Sequence, residues 1–299
     1  MKRLLPIAMG ISFFFHISCS MAQDFSNVKI ETVKVTDNIY MLKGRGGNIG
    51  VSAGEDGVMI IDDQYAPLAD KIKSAIAEIN SGAIKFVINT HWHGDHVGGN
   101  EIFGKAGSII VAHDNVRKRM STDQFMERFQ RNVPASPKAA LPIISFDKKI
   151  TFHFNDDEIT VFHGTSAHTD GDAVIYFHKG NTIHMGDAFV TYGYPFIDAG
   201  SGGSIVGEIS FLEDVLKMIN DDTKVIPGHG ELSTKKDIVN FKKMLVDIKD
   251  KVAKGVASGK TINEVLAAEP TKQYDASWNN GFIKSEDFIK MIYQELKAD

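Results

Sequence analysis

The chain has 299 residues, of which 43% are hydrophobic and 24% are charged. This is an ordinary globular composition, and the length is ample for a large core. The formal net charge is −5 at pH 7, and the sequence contains no long basic run. Because a negative chain without a basic patch lacks the usual electrostatic basis for binding nucleic acid, we expect no nucleic-acid partner.

The first part of the chain differs in kind from the rest. Two basic residues precede a largely apolar run at residues 4–17, and small side chains occupy residues 20 and 22, the two positions that a signal peptidase inspects. The run is too short for a comfortable membrane span, and no later stretch reaches its length. We interpret residues 1–22 as a cleaved secretory signal peptide. The mature protein would then begin at Gln23 in the bacterial periplasm, with no stable membrane insertion.

The single cysteine, Cys19, lies inside this segment. It offers an alternative interpretation, in which the protein is a lipoprotein attached through Cys19. We favour cleavage after Ala22, because His16 stands where lipidation sites usually carry leucine. The mature chain would then have neither a disulfide nor a thiolate metal ligand.

The first half of the mature chain is predicted to be rich in short buried strands. Apolar, β-branched runs predict strands at residues 39–42, 48–51, 58–61, 84–88 and 109–112. Apolar residues at helical spacing predict a helix between residues 68 and 79. The glycines of residues 43–47 predict a hairpin turn rather than a phosphate-binding loop, since no helix follows them. Three prolines in residues 115–142 predict an irregular connection, whose methionine and aromatic stripe is typical of core or of a lid.

The second half is predicted to return to strands and then to become helical. Further apolar runs predict strands at residues 150–154, 159–162, 173–177 and 182–185. Two apolar stripes predict long helices at residues 205–219 and 238–252. Possible helix caps are Ser233 or Thr234, Thr261 and Ser285. With no repeat and no long linker, this order predicts a layered α/β fold in a single domain spanning residues 23–299.

Residues 89–96, with the sequence Asn-Thr-His-Trp-His-Gly-Asp-His, are the most informative stretch. They follow a predicted buried strand, at the carboxyl end where open α/β sheets usually place chemistry. His91 and His93 are two residues apart, so their side chains point the same way in an extended segment. Asp95 and His96 are adjacent and can diverge toward a second metal ion. Because zinc prefers imidazole and carboxylate ligands, this stretch predicts a metal site.

Three later residues share this setting. His168, Asp187 and His229 each follow a predicted strand and lie beside glycine or other small residues. A lone loop histidine is usually a solvated or capping residue, but the combination with the first cluster supplies enough ligands for two zinc ions. The seven candidate ligands are His91, His93, Asp95, His96, His168, Asp187 and His229.

The order of these motifs resembles the metallo-β-lactamase-fold metallo-hydrolase superfamily. The resemblance rests on His-x-His-x-Asp-His at residues 91–96, His168, Gly-Asp at residues 186–187 and Pro-Gly-His at residues 227–229. It extends over essentially the whole mature chain and includes Asp62 at the end of a buried strand. It implies a four-layer αβ/βα sandwich with the metal ions at one edge.

The resemblance also implies a role for each ligand. It implies a first zinc ion held by three histidines, His91, His93 and His168. It implies a second zinc ion held by Asp95, His96 and His229. Asp187 would bridge the two ions, and Asp62 and Thr90 would orient the ligands from behind.

One departure from the family pattern is informative about function. The best-known β-lactamase subclass carries a cysteine on the second zinc ion, where this chain has Asp187. An aspartate there is more similar to the glyoxalase II, lactonase and general hydrolase branches. We therefore expect an exported zinc-dependent hydrolase that cleaves a carbonyl-centred bond of a small molecule: an ester, thioester, lactone or β-lactam. Two zinc ions would hold a bridging hydroxide for attack, and Asp95 would act catalytically by orienting it and shuttling its proton.

Several alternatives stay open. The physiological role could be that of a β-lactamase, the fold could hold iron as a dioxygenase, or the protein could bind metal without catalysis. The intact His93 favours zinc over a diiron site, since the diiron branch usually replaces this histidine. Candidate substrate contacts are Arg45 in the hairpin turn, and Tyr192, Tyr194 and Phe196 after Asp187, with a merely packed loop as the alternative. No pattern indicates an oligomeric state.

Overall fold

A computed structural model describes residues 24–164 and 166–298 of the chain. The predicted signal peptide at residues 1–22, including Cys19, lies outside the described residues. Within the described ranges, no helix is both long enough and apolar enough to cross a membrane.

The first half of the chain forms a seven-stranded mixed sheet in the order β1-β2-β3-β4-β5-β6-β9. Its strands are β1 (Glu31–Lys34), β2 (Ile39–Lys43), β3 (Ile49–Gly54), β4 (Gly57–Ile61), β5 (Ile84–Ile88), β6 (Ile109–His113) and β9 (Ile144–Phe146). The first four pair antiparallel as a meander. The next three are parallel to their neighbours, with Ile61 level with Ile88. The carboxyl ends of β4, β5 and β6 therefore meet at one edge.

A six-stranded sheet follows, in the order β10-β11-β12-β13-β14-β15. Its strands are β10 (Lys149–Phe154), β11 (Asp157–His163), β12 (Ala173–Phe177), β13 (Thr182–His184), β14 (Lys224–Ile226) and β15 (Ser233–Thr234). The pairs are antiparallel except for β13 and β14, which run parallel with His184 level with Ile226. The segments that follow these two strands thus begin side by side.

The described residues contain nine α-helices. They are α1 (Ala69–Ile79), α2 (Gly94–Val97), α3 (Asn100–Lys105), α4 (Asp114–Met120), α5 (Ile205–Met218), α6 (Lys235–Ala257), α7 (Ile262–Ala267), α8 (Asp275–Trp278) and α9 (Ser285–Ala298). Of these, α1, α5, α6 and α9 cover the outer faces of the two sheets. Two predicted caps are confirmed, because Thr234 and Thr261 each form a reciprocal capping box with the acid three residues on. Ser285 is instead the first residue of α9.

Three apolar clusters account for the layering. Between the sheets, buried side chains of the first sheet such as Ile61 and Ile88 pack against side chains of the second such as Val161 and Ile175. The opposite face of the first sheet packs on α1, and the opposite face of the second packs on α5, α6 and α9. Burial on both faces explains why β4 and β12 consist almost entirely of apolar residues. The predicted four-layer αβ/βα sandwich is confirmed.

The segment predicted as an irregular connection contains more structure than expected. After α4 the chain forms a two-stranded hairpin from β7 (Gln124–Met126) and β8 (Arg131–Val133). Met126 is buried, whereas Phe125 is exposed, since successive strand residues face opposite sides. Only part of the predicted methionine and aromatic stripe is therefore core.

Candidate metal centre

The site lies where the carboxyl ends of strands from both sheets meet. Residues 89–96 leave β5, and Asp62 leaves β4 beside them, its backbone N–H donating to Ile88 O at 2.8 Å. From the second sheet, the segments after β13 and β14 are joined by the Gly228 N–H, which donates to Gly186 O at 2.8 Å. The Asn48 N–H donates to Gly228 O at 2.7 Å and so ties the two halves together.

All seven predicted ligands come together at this edge. Their donor atoms form three overlapping groups, within each of which the atoms lie within 4.8 Å of one another. The first ligand group is His91, His93 and His168, and the second is Asp95, His96 and His229. The remaining set, His91, His96 and Asp187, overlaps both. Five imidazoles and two carboxylates in this arrangement could hold metal ions.

In the first group the imidazole nitrogens converge closely. His168 Nε2 lies 2.8 Å from His93 Nδ1, and the His91 ring centroid lies within 4.8 Å of both other rings. Among the described residues, buried His91 Nε2 has no hydrogen-bond partner. Because buried polar atoms are normally satisfied, an orphaned nitrogen among other metal-ligand atoms is what a site for a cation requires. The donor set fits a metal ion.

The second group contains more negative charge. His229 Nε2 lies 3.2 Å from Asp95 Oδ2 and 3.3 Å from His96 Nε2. Asp187 faces both groups, with Oδ1 3.2 Å from His96 Nε2 and Oδ2 3.8 Å from His168 Nε2. Its position between the groups suits a bridging ligand.

Asp62 anchors the ligands from the buried side. Its carboxylate accepts hydrogen bonds from the Thr90 N–H at 2.8 Å and the Thr90 hydroxyl at 2.7 Å. Its Oδ2 also lies 2.7 Å from His96 Nδ1, on the ring nitrogen that faces away from the site. Thr90 Oγ1 lies 3.0 Å from His91 Nδ1. Such contacts orient the rings and fix which nitrogen faces a metal ion.

His168 and His93, the other two histidines of the first group, are oriented by contacts with residues 196–201. His168 Nδ1 lies 2.5 Å from the backbone oxygen of Phe196. His93 Nε2 lies 2.9 Å from Asp198 Oδ2, and the Ser201 hydroxyl donates to that same oxygen at 2.6 Å. Asp198 was not predicted from the sequence, because it is 105 residues from His93 and stands in no ligand motif.

Acidic neighbours dominate the charge state of the second group. Burial opposes protonation of His229, but Asp187 and Asp95 outweigh it and raise its pKa to about 9. Burial also opposes protonation of His96, but Asp187 and Asp95 outweigh it and raise the pKa of His96 well above its usual value. Burial in turn raises the pKa of both carboxyls, but His96 and His229 outweigh it and hold both pKa values low.

The first group behaves in the opposite way. Burial, together with neighbouring histidines, holds the pKa of His91 well below its usual value. Burial and His93 lower the pKa of His168 to about 4. Both rings are therefore neutral at pH 7, which is the form that binds a metal ion.

Glycines form the tight wall of the site. A Cβ at Gly228 would lie 2.1 Å from Asp187 Oδ1, and one at Gly47 would lie 2.1 Å from His96 Cε1. Neither position has room for a side chain. Gly46 and Gly47, in the segment predicted as a hairpin turn, therefore lie against the candidate ligands.

Two of the predicted substrate contacts lie beside the ligands. The Phe196 ring stacks on His93 at a centroid distance of 5.9 Å, and the exposed Tyr192 ring lies 5.3 Å from that of His229. Arg45 precedes Gly46, whose Cβ would lie 2.8 Å from the Asp95 backbone oxygen.

Tyr194 does not reach the site. It is fully buried, its ring stacks on Phe288 at 5.1 Å, and its hydroxyl donates to Asp275 at 2.9 Å. The prediction that Tyr194 lines the substrate groove is corrected by this placement. The loop after Asp187 alternates between the site and the helical core, and sequence alone did not fix which residues face each side.

Comparisons with known proteins agree with this geometry. The family model of the metallo-beta-lactamase superfamily matches residues 42–230, which include all seven candidate ligands. The hydroxyacylglutathione hydrolase of Pelagibacter ubique (strain HTCC1062) is 24% identical over 147 residues, covering 49% of this chain and 52% of that protein. The beta-lactamase-like protein 2 homolog of Caenorhabditis elegans is 25% identical over 213 residues, covering 66% and 57%. The chain thus spans little more than half the length of these relatives.

Solved structures share the fold at low sequence identity. A metallo-beta-lactamase from Pontibacter korlensis superposes with a TM-score of 0.61 at 14% identity, covering 73% of this chain and 100% of that one. A double mutant of the sec-alkyl sulfatase PisA1 superposes with a TM-score of 0.68 at 15% identity, covering 89% and 50%. The match of the family model over most of the chain, together with the fold, shows that the protein belongs to the metallo-beta-lactamase superfamily.

Proposed function

We propose that the protein is an exported binuclear zinc hydrolase that cleaves a carbonyl-centred bond of a small molecule. The observation that carries this proposal is the pair of ligand groups joined through Asp187. His91, His93 and His168 would hold one zinc ion, and Asp95, His96 and His229 the other. When bound, zinc supplies Lewis acidity that polarises a carbonyl group and makes water a nucleophile at neutral pH.

The protein's own residues would orient the reactants and move the proton. Asp95 has the more exposed of the two carboxylates, 26% against 13% for Asp187. Asp95 would hold the attacking water, accept its proton and pass it to the leaving group. Asp187, which lies between the two groups, would hold them at a fixed separation. Tyr192 and Phe196 flank the histidines and would exclude bulk water from the reacting carbonyl.

Two observations narrow the bond class. An aspartate at position 187, rather than a cysteine, favours the esterase-like branches of the family over the best-known β-lactamases. The relative from Pelagibacter ubique is named a hydroxyacylglutathione hydrolase, which is a thioesterase by its name. We therefore propose esters, thioesters or lactones ahead of β-lactams.

The assignment is tested with one variant in each ligand group. His91→Ala and His229→Ala should each reduce hydrolysis below detection while the circular dichroism spectrum stays that of the parent. His153→Ala is the matched control, because His153 is an exposed strand residue. Full hydrolysis by either ligand variant would refute the assignment, and so would loss of hydrolysis in the control.

We propose export on the sequence of residues 1–22 alone. Protein recovered from the periplasm should begin at Gln23 when its N-terminus is sequenced. A lipid-modified Cys19 at the N-terminus, detected by mass spectrometry, would contradict this and favour a lipoprotein.

A further inference from the structure

An exposed group of phenylalanines lies beside the metal centre. We define the aromatic wall as Phe129, Phe196 and Phe282. The Phe129 ring lies 5.9 Å from the ring of Phe196 and 5.9 Å from that of Phe282. Phe129 is 41% exposed and Phe282 is 54% exposed, so the wall is partly open to solvent next to the ligands.

The fold brings the wall together from three distant segments. Phe129 lies in the turn between β7 and β8, where Gln130 adopts a left-handed backbone conformation with φ of 46°. Phe282 precedes Ile283, which forms an antiparallel bridge with Tyr194. The same bridge orders the loop that carries Phe196. The hairpin and the segment before α9 thus converge on one side of the site.

The wall starts at the ligands themselves. The Phe196 ring stacks on His93 with an interplanar angle of 21° and meets His168 edge-on at 5.7 Å. Phe129 and Phe282 continue outward from it. A substituent attached to a carbonyl group at the first ligand group would run along these rings.

A balanced ion pair, Arg128 with Asp287, lies beside the aromatic wall. The Arg128 guanidinium lies 5.9 Å from the Phe196 ring centroid and 5.6 Å from that of Phe282. Asp287 pairs with this guanidinium at 3.1 Å. The Arg128–Asp287 pair therefore adds no net charge beside the rings, which favours an uncharged occupant.

Scattered exposed phenylalanines are ordinary, and the same hairpin contains one. Phe125 is 51% exposed, and in the described part of the chain it makes none of the ring contacts that join the wall. Contiguous exposed rings mark a binding surface, whereas an isolated ring does not. Phe125 is therefore a matched control for Phe129.

We propose that the aromatic wall is an acyl-group subsite, which binds an uncharged aryl-sized acyl group of the substrate while its carbonyl reacts at the metal centre. This inference rests on the proposed hydrolase function. A subsite of this kind would select a substrate by its acyl substituent rather than by its leaving group.

The test compares phenylacetyl and acetyl esters of one alcohol. The parent should have a higher kcat/KM for the phenylacetyl ester, and Phe129→Ala or Phe282→Ala should each reduce that preference by about tenfold, as expected for loss of one aromatic contact. Phe125→Ala should leave the preference unchanged. An unchanged preference in both wall variants would overturn the proposal. If the preference is constant and light scattering shows that the parent is a dimer and the wall variants are monomers, the proposal is overturned and the wall is an interface between copies of the chain.

A binding measurement separates failure of the subsite from failure of the hydrolase function. Phenylacetate should bind the zinc-loaded protein more tightly than acetate by calorimetry, and Phe129→Ala should reduce this difference. If neither ester is hydrolysed, and a lactone, a glutathione thioester and a β-lactam are not hydrolysed either, the hydrolase proposal fails while this binding difference still supports the wall. Equal binding of the two acids would refute the subsite even in an active hydrolase.

Discussion

Replacing Asp198 with asparagine tests whether a residue outside the ligand set controls metal binding. Asp198 Oδ2 lies 2.9 Å from His93 Nε2, and both side chains are at least nine-tenths buried. The carboxylate also accepts from the Ser201 hydroxyl at 2.6 Å and from the Ser201 N–H at 3.3 Å. Asparagine has one acceptor oxygen, so either orientation of its amide sets an NH₂ group against one of these donors.

The expected magnitude follows from this geometry. Losing a charge-assisted contact to a metal-binding histidine typically weakens metal affinity by roughly 10–100-fold. That factor corresponds to about 1.4–2.7 kcal/mol of binding free energy. Because the ring of His93 stays in place but loses its orienting charge, we expect Asp198→Asn to weaken zinc binding without unfolding the protein.

The assay is zinc competition against a chromophoric chelator, starting from metal-free protein. Asp170→Asn is the control, because Asp170 lies on the neighbouring loop and pairs with Arg119 at 2.7 Å rather than with a ligand. We expect the control to bind zinc as the parent does. Parental zinc affinity in Asp198→Asn would refute the orienting role.

Two further predictions concern protonation and packing. In NMR titrations of the metal-free protein, His229 should stay protonated until the pH rises through about 9, and His168 should stay neutral down to about pH 4. Zinc binding to the group that contains His229 should therefore strengthen as the pH rises toward 9. Titration of both rings near pH 6.5 would contradict these raised and lowered pKa values. The same raised pKa stabilises the metal-free fold below about pH 6.5, and this stabilisation should be lost as the pH rises through 9. Gly228→Ala should lower the free energy of unfolding by about 1–3 kcal/mol in denaturant titrations, since its Cβ would meet Asp187. Gly94→Ala, where a Cβ would meet nothing within 4 Å, should be much milder, and equal effects would contradict the packing argument.

The fold was predictable where periodicity and burial agree. The run at β4 is continuously apolar because both faces of the sheet are covered there. The hairpin of β7 and β8 was not predictable, since its strands are three residues long and largely exposed. Short exposed strands leave no clear alternation in the sequence.

The positions of the candidate ligands were predictable for a similar reason. Four of them fall in residues 89–96, and the other three each follow a strand beside small residues. Asp198 and the ring contacts of Phe129 and Phe282 depend on loops folding back over long separations. No local pattern encodes such contacts, and the mistaken placement of Tyr194 has the same origin.

The most direct test of the central proposal is the metal content of the mature protein, measured together with hydrolysis of a carbapenem, a cephalosporin, a lactone and a glutathione thioester. We predict close to two zinc ions per chain and hydrolysis with a preference for the lactone or the thioester. A single iron ion with no hydrolysis of any substrate would contradict the proposal and favour a dioxygenase on the same fold.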